Sequence, residues 1–260
     1  MLSGVSFLGE KGKKIAFEVR GHLPRTEKSS QKVFLSNRNF LYLHQYMTII
    51  MYKKRVYTVG HSNQSQEEFL ALLKAHDVNC IVDVRSVPSS KYSPQFNHEI
   101  LKPFLKNKGV LYLHFGEEFG ARRTDCVNED GQVDFERAIL TPAFQHGVER
   151  LQLGLDKGYH IALMCSEANP LECHRFSLIS RYFYDKGYDV RHILKGAELA
   201  LHETLEQEMI KEFLRSKKYR LSEVDLLFGS YTFEEQRCDA YRLKNKEIGY
   251  IPQLVFEEDY

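Results

Sequence analysis

The stretch from Leu163 to Arg175 concentrates side chains that can do chemistry. It holds two thiols, a carboxylate, an imidazole and a guanidinium, on Cys165, Glu167, Cys173, His174 and Arg175. A thiolate can act as a nucleophile or bind a metal ion, and a carboxylate or an imidazole can move protons. What these groups can do together depends on the elements that position them.

A joint between a strand and a helix is predicted to carry this stretch. Residues 159–164 are mostly apolar, which is typical of a short buried strand. Asn169 is a good N-cap, Pro170 suits the first helical position, and Glu172 follows the cap by three residues as in a capping box. Cys165 is therefore expected at the carboxyl end of a strand, close to a helix N-terminus. Open α/β sheets bind ligands at such positions.

Alternating strand and helix patterns predict the fold class. Apolar runs predict strands at Val56–Val59, Cys80–Val84, Val110–His114, 159–164 and Tyr188–Ile193. Helical patterns begin at Ser65, near Glu99 and near Asp134. This alternation favours a three-layer α/β fold, with a mostly parallel sheet of about five strands and helices on both faces. The charged tail from Ala197 predicts a helical C-terminal extension.

Composition limits the domain organisation and the location. Residues 1–50 lack a sustained period and are expected to form a weakly ordered extension, with residues 51–260 as a single domain. Lys and Arg (36) nearly balance Asp and Glu (35), so net charge gives no argument for bulk binding to nucleic acid. The sequence shows no long apolar run and no signal peptide, and its five cysteines are an odd number. These features favour a cytoplasmic protein without a membrane partner, while the cofactor and the oligomeric state stay unknown.

The loops after three predicted strands are rich in polar and cationic groups. They carry His61 and Ser62, then Asp83, Arg85 and Ser90, and then the segment that begins at Cys165. Because parallel strands end at one edge of the sheet, these loops are expected to meet there, with Arg122 from a later loop beside them. Such a cleft suits a small anionic ligand such as phosphate or carboxylate. Alternatively, Asp83 could bind loop amides and Arg85 could simply pair with a carboxylate.

Cys165 has two readings, and the spacing of the ligand types argues against a metal. A buried cysteine usually behaves as a small hydrophobe, but a helix N-terminus and nearby cations can make the thiol reactive. Cys165, Cys173, His174 and Glu167 are acceptable zinc ligands by type, yet they form no Cys-x2-Cys or His-x3-His pair. On a helix, adjacent Cys173 and His174 would point about 100° apart. The sequence therefore predicts no metal site, and the short Cys-x5-Arg loop of phosphatases is absent as well.

Several motifs taken together resemble a known family. They are Thr58-Val-Gly-His-Ser, Val82-Asp-Val-Arg-Ser-Val-Pro-Ser-Ser, Phe119-Gly-Ala-Arg-Arg, Met164-Cys-Ser-Glu-Ala-Asn-Pro-Leu-Glu-Cys-His-Arg and Val190-Arg-His-Ile. Their order and types resemble domain-of-unknown-function family 488 over about residues 56–193, and Ala240-Tyr-Arg through Ile248-Gly-Tyr resembles the tail of that family. The resemblance implies an α/β fold but no activity. It implies site positions at His61, Asp83, Arg85, Pro88, Ser90, Arg122, Cys165, Glu167, Cys173, His174 and Arg175.

Two functional hypotheses follow. The first is a thiol-dependent enzyme that acts on a phosphorylated or nucleotide-like substrate. In it, Cys165 is the nucleophile or a thiol ligand, Glu167 or His174 handles protons, and arginines hold the anion. The second is a non-catalytic module that binds a nucleotide or nucleic acid, helped by a basic tail. The tail's cations are Lys211, Arg215, Lys217, Lys218 and Arg220.

Overall fold

The computed structural model describes residues 54–216 and 231–252, together with two short strands near the N-terminus. The chain divides into two units, Met1–Lys53 and Lys54–Tyr260. In the first unit, β1 (Ala16–Phe17) pairs with β2 (Val33–Phe34) in antiparallel fashion. The prediction that residues 1–50 are a weakly ordered extension falls mostly outside the described residues and stays a prediction.

The second unit is built on a six-stranded, mostly parallel sheet. Its strands are β3 (Arg55–Gly60), β4 (Cys80–Asp83), β5 (Leu111–His114), β6 (Ile161–Cys165), β7 (Asp189–Ile193) and β8 (Leu199–Leu201). Their order is β5-β4-β6-β3-β7-β8, and only β8 runs antiparallel to its neighbour. The α/β fold is confirmed. The predicted five strands become six because β8 is too short, at three residues, to show a period.

Side chains from β6 enter two separate apolar clusters, as expected for a sheet that is covered on both faces. Ile161 and Leu163 join one cluster, with Phe144 and Phe183, whereas Ala162 and Met164 join the other. Every residue of β4 and of β6 is buried. This continuous burial explains their uninterrupted apolar sequences, because central parallel strands have no solvent face.

The helices cover these faces and extend beyond them. They are α1 (Gln66–Ala75), α2 (His98–Asn107), α3 (Gly116–Phe119), α4 (Phe135–Ala138), α5 (Pro142–Asp156), α6 (Arg181–Asp185), α7 (His202–Arg215) and α8 (Phe233–Ile248). The Ser65 capping box of α1 is present. The helix predicted from about Asp134 is divided in two, because Thr141 caps α5 and Pro142 begins it. In the described residues, no helix has the length and apolarity needed to span a bilayer.

The segment after β6 departs from the single helix that the sequence predicts. Asn169 caps a short 3₁₀ turn, Pro170–Glu172, and its Oδ1 accepts from the backbone N–H of Leu171. Cys173 then takes an extended conformation, with φ −137° and ψ 142°. A π-helical turn, Arg175–Ser180, follows and continues into α6. The chain therefore bends at Cys173, and this bend decides where the neighbouring side chains point.

Candidate functional site

The carboxyl ends of β3, β4 and β6 bring the predicted loops together at one edge of the sheet. Gly60 is paired in register with Cys165, and Asp83 with Met164. The loop after β6 crosses directly over Gly60, where a Cβ atom would lie 1.8 Å from the carbonyl oxygen of Glu167. Only glycine permits this approach, so the Gly60 position fixes the course of the loop that carries Glu167.

At this edge, Cys165, Cys173 and His174 form a compact buried group, here called the thiol cluster. The two Sγ atoms and one imidazole nitrogen all lie within 4.8 Å of one another. His174 Nδ1 is 3.9 Å from Cys165 Sγ and 3.8 Å from Cys173 Sγ. The bend at Cys173 makes this possible, because an extended residue followed by a helical one does not obey the 100° helical spacing.

The imidazole of His174 is held by the loop that follows β4. Its Nε2 lies 3.1 Å from the carbonyl oxygen of Val84. A carbonyl can only accept, so Nε2 carries the hydrogen, and in the neutral ring the lone pair is on Nδ1. That lone pair faces the two sulfur atoms, and the ring is nearly buried.

The two thiols of the cluster are electrostatically unequal. The hydrogen bond to Cys173 and burial hold the pKa of Cys165 well above its usual value. Burial alone would also raise the pKa of Cys173, but the Cys165 thiol, the Arg175 charge and His174 bring it well below its usual value. The backbone N–H of Arg175 donates to Cys173 Sγ at 3.4 Å. These opposite shifts favour ionisation of Cys173 over ionisation of Cys165.

Glu167 faces the cluster with its carboxyl group, although the residue as a whole is exposed. Burial of the carboxyl, followed by the charge of Cys173 and a hydrogen bond to it, raises the pKa of Glu167. Burial by itself lowers the pKa of the His174 imidazole, but the Cys173 thiolate raises it overall. Proton positions in this group are thus coupled to the state of one sulfur.

Arg175 is fully buried and holds the backbone of the loop. Its Nη1 donates to the carbonyl oxygen of Glu167 at 2.7 Å, and Nη2 to that of Ala168 at 3.1 Å. Its Nε has no hydrogen-bond partner among the described residues. The guanidinium therefore supports the thiolate by its charge and fixes the loop that presents Glu167.

Asp83 and Arg85 form a second buried group beside the thiol cluster. Asp83 accepts from Arg85 Nη2 at 2.5 Å, from Arg85 Nε at 2.9 Å and from the hydroxyl of Tyr112 at 2.5 Å. Arg85 also donates to the carbonyl oxygen of Phe96 at 2.8 Å. The guanidinium is thus paired with a carboxylate, as the plainer reading of the sequence has it.

His61 completes this second group as a neutral side chain. Its ring stacks on Phe96 with a 4.3 Å centroid separation, and its Nε2 lies 3.2 Å from Arg85 Nη1. Burial, together with the Arg85 charge, lowers the pKa of His61 to about 4. Its Nδ1 lies 2.8 Å from the carbonyl oxygen of Ser62.

Two predicted hydroxyl residues belong to loops rather than to either group. Ser62 takes a left-handed conformation, with φ 48°, in the turn after β3. The hydroxyl of Ser90 accepts from the backbone N–H of Tyr92 at 3.1 Å, and the backbone N–H of Ser90 donates to Asn97 Oδ1 at 2.7 Å. Both residues shape the loops around the sheet edge.

Arg122 lies apart from the thiol cluster, at an open cavity of about 660 Å³. Its backbone N–H donates to Ser86 Oγ at 2.9 Å, and its guanidinium lies over the ring of Tyr250. Arg123 and Arg150 also line the cavity, but they are paired with Asp125 and Glu118. Within the described part of the chain, Arg122 has no carboxylate partner, so it is the cation that a ligand could use.

Two site components were not in the predicted set: Tyr112 and the carbonyl group of Val84. Tyr112 faces Asp83 from the neighbouring strand. A backbone carbonyl leaves no signal in sequence, and the facing of Tyr112 depends on strand order.

Comparison with known proteins gives one match. Residues 65–182 match a family model described as "Domain of unknown function DUF488". No curated protein and no solved structure matches the chain.

Proposed function

From a chain in which residues 65–182 match the model of the DUF488 domain, we propose a thiol-dependent enzyme that acts on a phosphorylated or nucleotide-like substrate. Its reaction centre is the thiol cluster, with Glu167 beside it. The family description assigns no activity, so the proposal rests on the chemistry of these residues.

One observation carries the proposal, namely the buried contact of Cys173 with a second thiol, an imidazole and a carboxyl group. Their pKa values are shifted by burial and by one another, Cys173 downward and Cys165, Glu167 and His174 upward. Ionisable groups whose pKa values are driven apart at one sheet edge are typical of catalytic centres.

The roles differ from the simplest sequence hypothesis, in which Cys165 carries the thiolate. Because the pKa of Cys173 is lowered and that of Cys165 is raised, we assign the reactive sulfur to Cys173 and a supporting role to Cys165. Glu167, whose pKa is raised by burial and by Cys173, is the candidate proton carrier. His174 is held in one orientation by the carbonyl oxygen of Val84.

The anionic part of the substrate is assigned to the cavity at Arg122. The short segment from Val84 to Ser86 joins the two regions, because the Val84 carbonyl holds His174 while Ser86 lines the cavity. An unpaired arginine beside a hydroxyl suits a phosphate oxygen. In this assignment Arg85 and Arg175 do not bind the substrate and instead stabilise the loops. Arg85 is paired with Asp83, and Arg175 donates to backbone carbonyls.

A reducing compartment such as the cytoplasm fits this chemistry. All five cysteines are free thiols, and a thiolate centre needs a reducing environment to stay active.

The test is a hydrolysis and transfer screen on the full chain with phosphomonoesters and nucleotides. Cys173→Ala should lower any activity found by about 100-fold or more, as expected when a reactive group is removed. Cys80→Ala is the matched control, because Cys80 is a buried free thiol at the opposite end of a neighbouring strand. Equal rates in Cys173→Ala and Cys80→Ala proteins would overturn the proposal.

The same screen separates the enzyme from a binding module. Binding of nucleotide without turnover would favour the module. Nucleic-acid binding through charge would weaken steeply with salt. Of the tail cations in that hypothesis, Lys217, Lys218 and Arg220 lie outside the described residues.

A further inference from the structure

We propose that Cys165, Cys173 and His174 bind a divalent metal ion of the zinc type as three protein ligands, with a fourth coordination position open. The inference deepens the proposed function by naming a cofactor class, and it rests on that function only for the catalytic use of the metal. Two sulfurs and an imidazole are a donor set that favours zinc over harder cations.

The distances between the donor atoms are close to those of a loaded site. Bonds of about 2.3 Å to sulfur and about 2.0 Å to nitrogen at a tetrahedral angle place S and N about 3.5 Å apart. His174 Nδ1 lies 3.9 Å and 3.8 Å from the two sulfurs. A contraction of about 0.3 to 0.4 Å would complete the geometry, and this is within the reach of small side-chain rotations.

The Val84 carbonyl selects the tautomer of the neutral imidazole that a metal requires. It accepts from Nε2 of His174 at 3.1 Å, which leaves the lone pair of Nδ1 directed toward the sulfurs. Metal-binding histidines commonly donate their other ring N–H to a carbonyl in this way, which fixes the ring orientation. Among the described residues, the hydrogen-bond contacts of this Nδ1 are the two cysteine sulfurs.

The backbone at Cys173 removes the spacing argument against a metal. That argument placed Cys173 and His174 on one helix, where adjacent side chains diverge. Cys173 is extended instead, and its sulfur turns to the same side as the following imidazole. The π-helical turn that follows is also a feature that occurs frequently at functional sites.

Charge balance favours a bound cation. An unpaired buried charge is costly, whereas a divalent ion with two thiolates is neutral as a unit. Because thiols bind metal as thiolates, metal binding should release protons.

The open fourth position distinguishes this site from a closed structural one. Structural zinc sites have four protein ligands, whereas catalytic ones keep a position for water or substrate. The Glu167 carboxyl lies beside the sulfurs and is not one of the three grouped donors. With zinc bound, Glu167 would be the group beside the fourth position, where zinc would make a bound water more acidic.

The test uses the full chain, purified with a non-thiol reductant, stripped with a chelator and titrated with Zn²⁺ alone and with Co²⁺ alone. One Co²⁺ per chain with thiolate-to-metal charge-transfer bands and the visible bands of a tetrahedral ion is expected. Cys173→Ala and His174→Ala should each weaken Zn²⁺ binding by about 100-fold or more, a larger effect than the loss of an outer-shell partner. Cys80→Ala should bind as the parent protein does.

Absence of thiolate bands, or equal Zn²⁺ affinity in the Cys173→Ala protein, would overturn the metal site. Should the alanine variants fail to fold, Cys165→Ser and His174→Gln replace them, with circular dichroism as the folding check. Failure of the proposed function looks different, because Zn²⁺ would bind while no substrate is turned over. If turnover persists at full rate after verified metal removal, the proposal of a thiol-dependent enzyme is retained and the catalytic role of the metal is rejected.

Discussion

The second unit contains two buried polar regions with histidines, and they are built on opposite principles. One is the thiol cluster of Cys165, Cys173 and His174. The other, here called the histidine chain, links the sheet to the C-terminal helices. Its members are Thr58, His192, His202, Tyr241, Glu206 and Arg237, all buried. Both regions pass through the same sheet, on neighbouring strands.

Every donor in the histidine chain has one acceptor. The Glu206 carboxylate at the end of the chain can only accept, so it determines the donor and the acceptor in each hydrogen bond. Tyr241 donates to Glu206 Oε1 at 2.7 Å, so its oxygen accepts from His202 Nε2 at 3.0 Å. His202 Nδ1 therefore accepts from His192 Nε2 at 3.1 Å, and His192 Nδ1 accepts from the Thr58 hydroxyl at 2.8 Å. Each ring is fixed as one neutral tautomer.

The contrast separates stability from chemistry. In the histidine chain, burial lowers the pKa of His202 to about 3 and that of His192 well below its usual value, so neither ring exchanges protons near neutrality. In the thiol cluster the pKa of His174 is raised overall. Among the described residues, its Nδ1 contacts the two sulfurs. A hydrogen-bond network in which every group has a partner makes a core rigid. The lone pair of His174 Nδ1, in contrast, lies beside two sulfurs and can bind a ligand.

The largest expected loss of stability comes from the acidic end of the histidine chain. Glu206→Gln leaves Arg237 Nε, which donates to Glu206 at 2.8 Å, with a neutral partner. Because Arg237 keeps its ion pairs with Asp185 and Glu234, the cost should be at the lower end for a broken buried pair, about 3 kcal/mol, and urea unfolding measures it. Glu208→Gln on the exposed face of α7 is the control. Equal losses in the two variants would mean that the chain does not stabilise the fold.

The next largest loss of stability is expected for Gly60→Ala, which affects the thiol cluster rather than the histidine chain. The added Cβ would meet the Glu167 carbonyl at 1.8 Å, so the loop must shift, at a cost of about 2 kcal/mol. Thermal unfolding and the alkylation rate of Cys173 should both change. Gly154→Ala is the control, since its Cβ meets only the end of the Ile161 side chain at 2.9 Å. Unchanged alkylation would show that the loop does not position the thiols.

Acid should weaken the fold through the histidine chain. The folded pKa values of His192 and His202 are lowered, so between about pH 6.5 and the folded values the unfolded chain binds more protons. Stability is therefore fully present above pH 6.5 and falls with acidification, by about 1.4 kcal/mol per pH unit for each histidine. In urea unfolding at several pH values, His202→Gln should reduce this slope by about one proton. An unchanged slope would contradict the neutral assignment.

The smallest effect is expected for Tyr241→Phe, which keeps the ring and removes the hydroxyl between His202 and Glu206. The loss of two buried hydrogen bonds should cost about 1 kcal/mol or somewhat more. Tyr92→Phe is the control because Tyr92 is 98% exposed. Unfolding midpoints that move equally would place Tyr241 outside the directional chain.

The sequence predicts the strands better than the site. Cys80–Asp83 and Ile161–Cys165 could be located because central parallel strands leave apolar runs. The extended backbone of Cys173 could not, because Asn169 and Pro170 favour a helix locally. Tertiary contacts fix the loop there, above all Arg175 on the carbonyls of Glu167 and Ala168.

Contacts between distant residues explain the remaining gaps. His192 and His202 form the middle of the histidine chain, but no local pattern marks them as partners of Thr58 or Tyr241. Asp83 and Arg85, two residues apart, could be paired from sequence as one of two readings. Local spacing thus predicts pairs within a loop, and strand order decides the rest.

The strand order has a practical consequence for anyone who prepares a shorter protein. The family match over residues 65–182 begins after β3 and ends before β7, although β3 lies between β6 and β7 in the sheet. A fragment cut to the match would leave the fully buried β6 as an open edge, and such apolar edges promote aggregation. Expression boundaries should therefore retain residues 54–216 and α8, because the matched segment leaves out strands that complete the sheet.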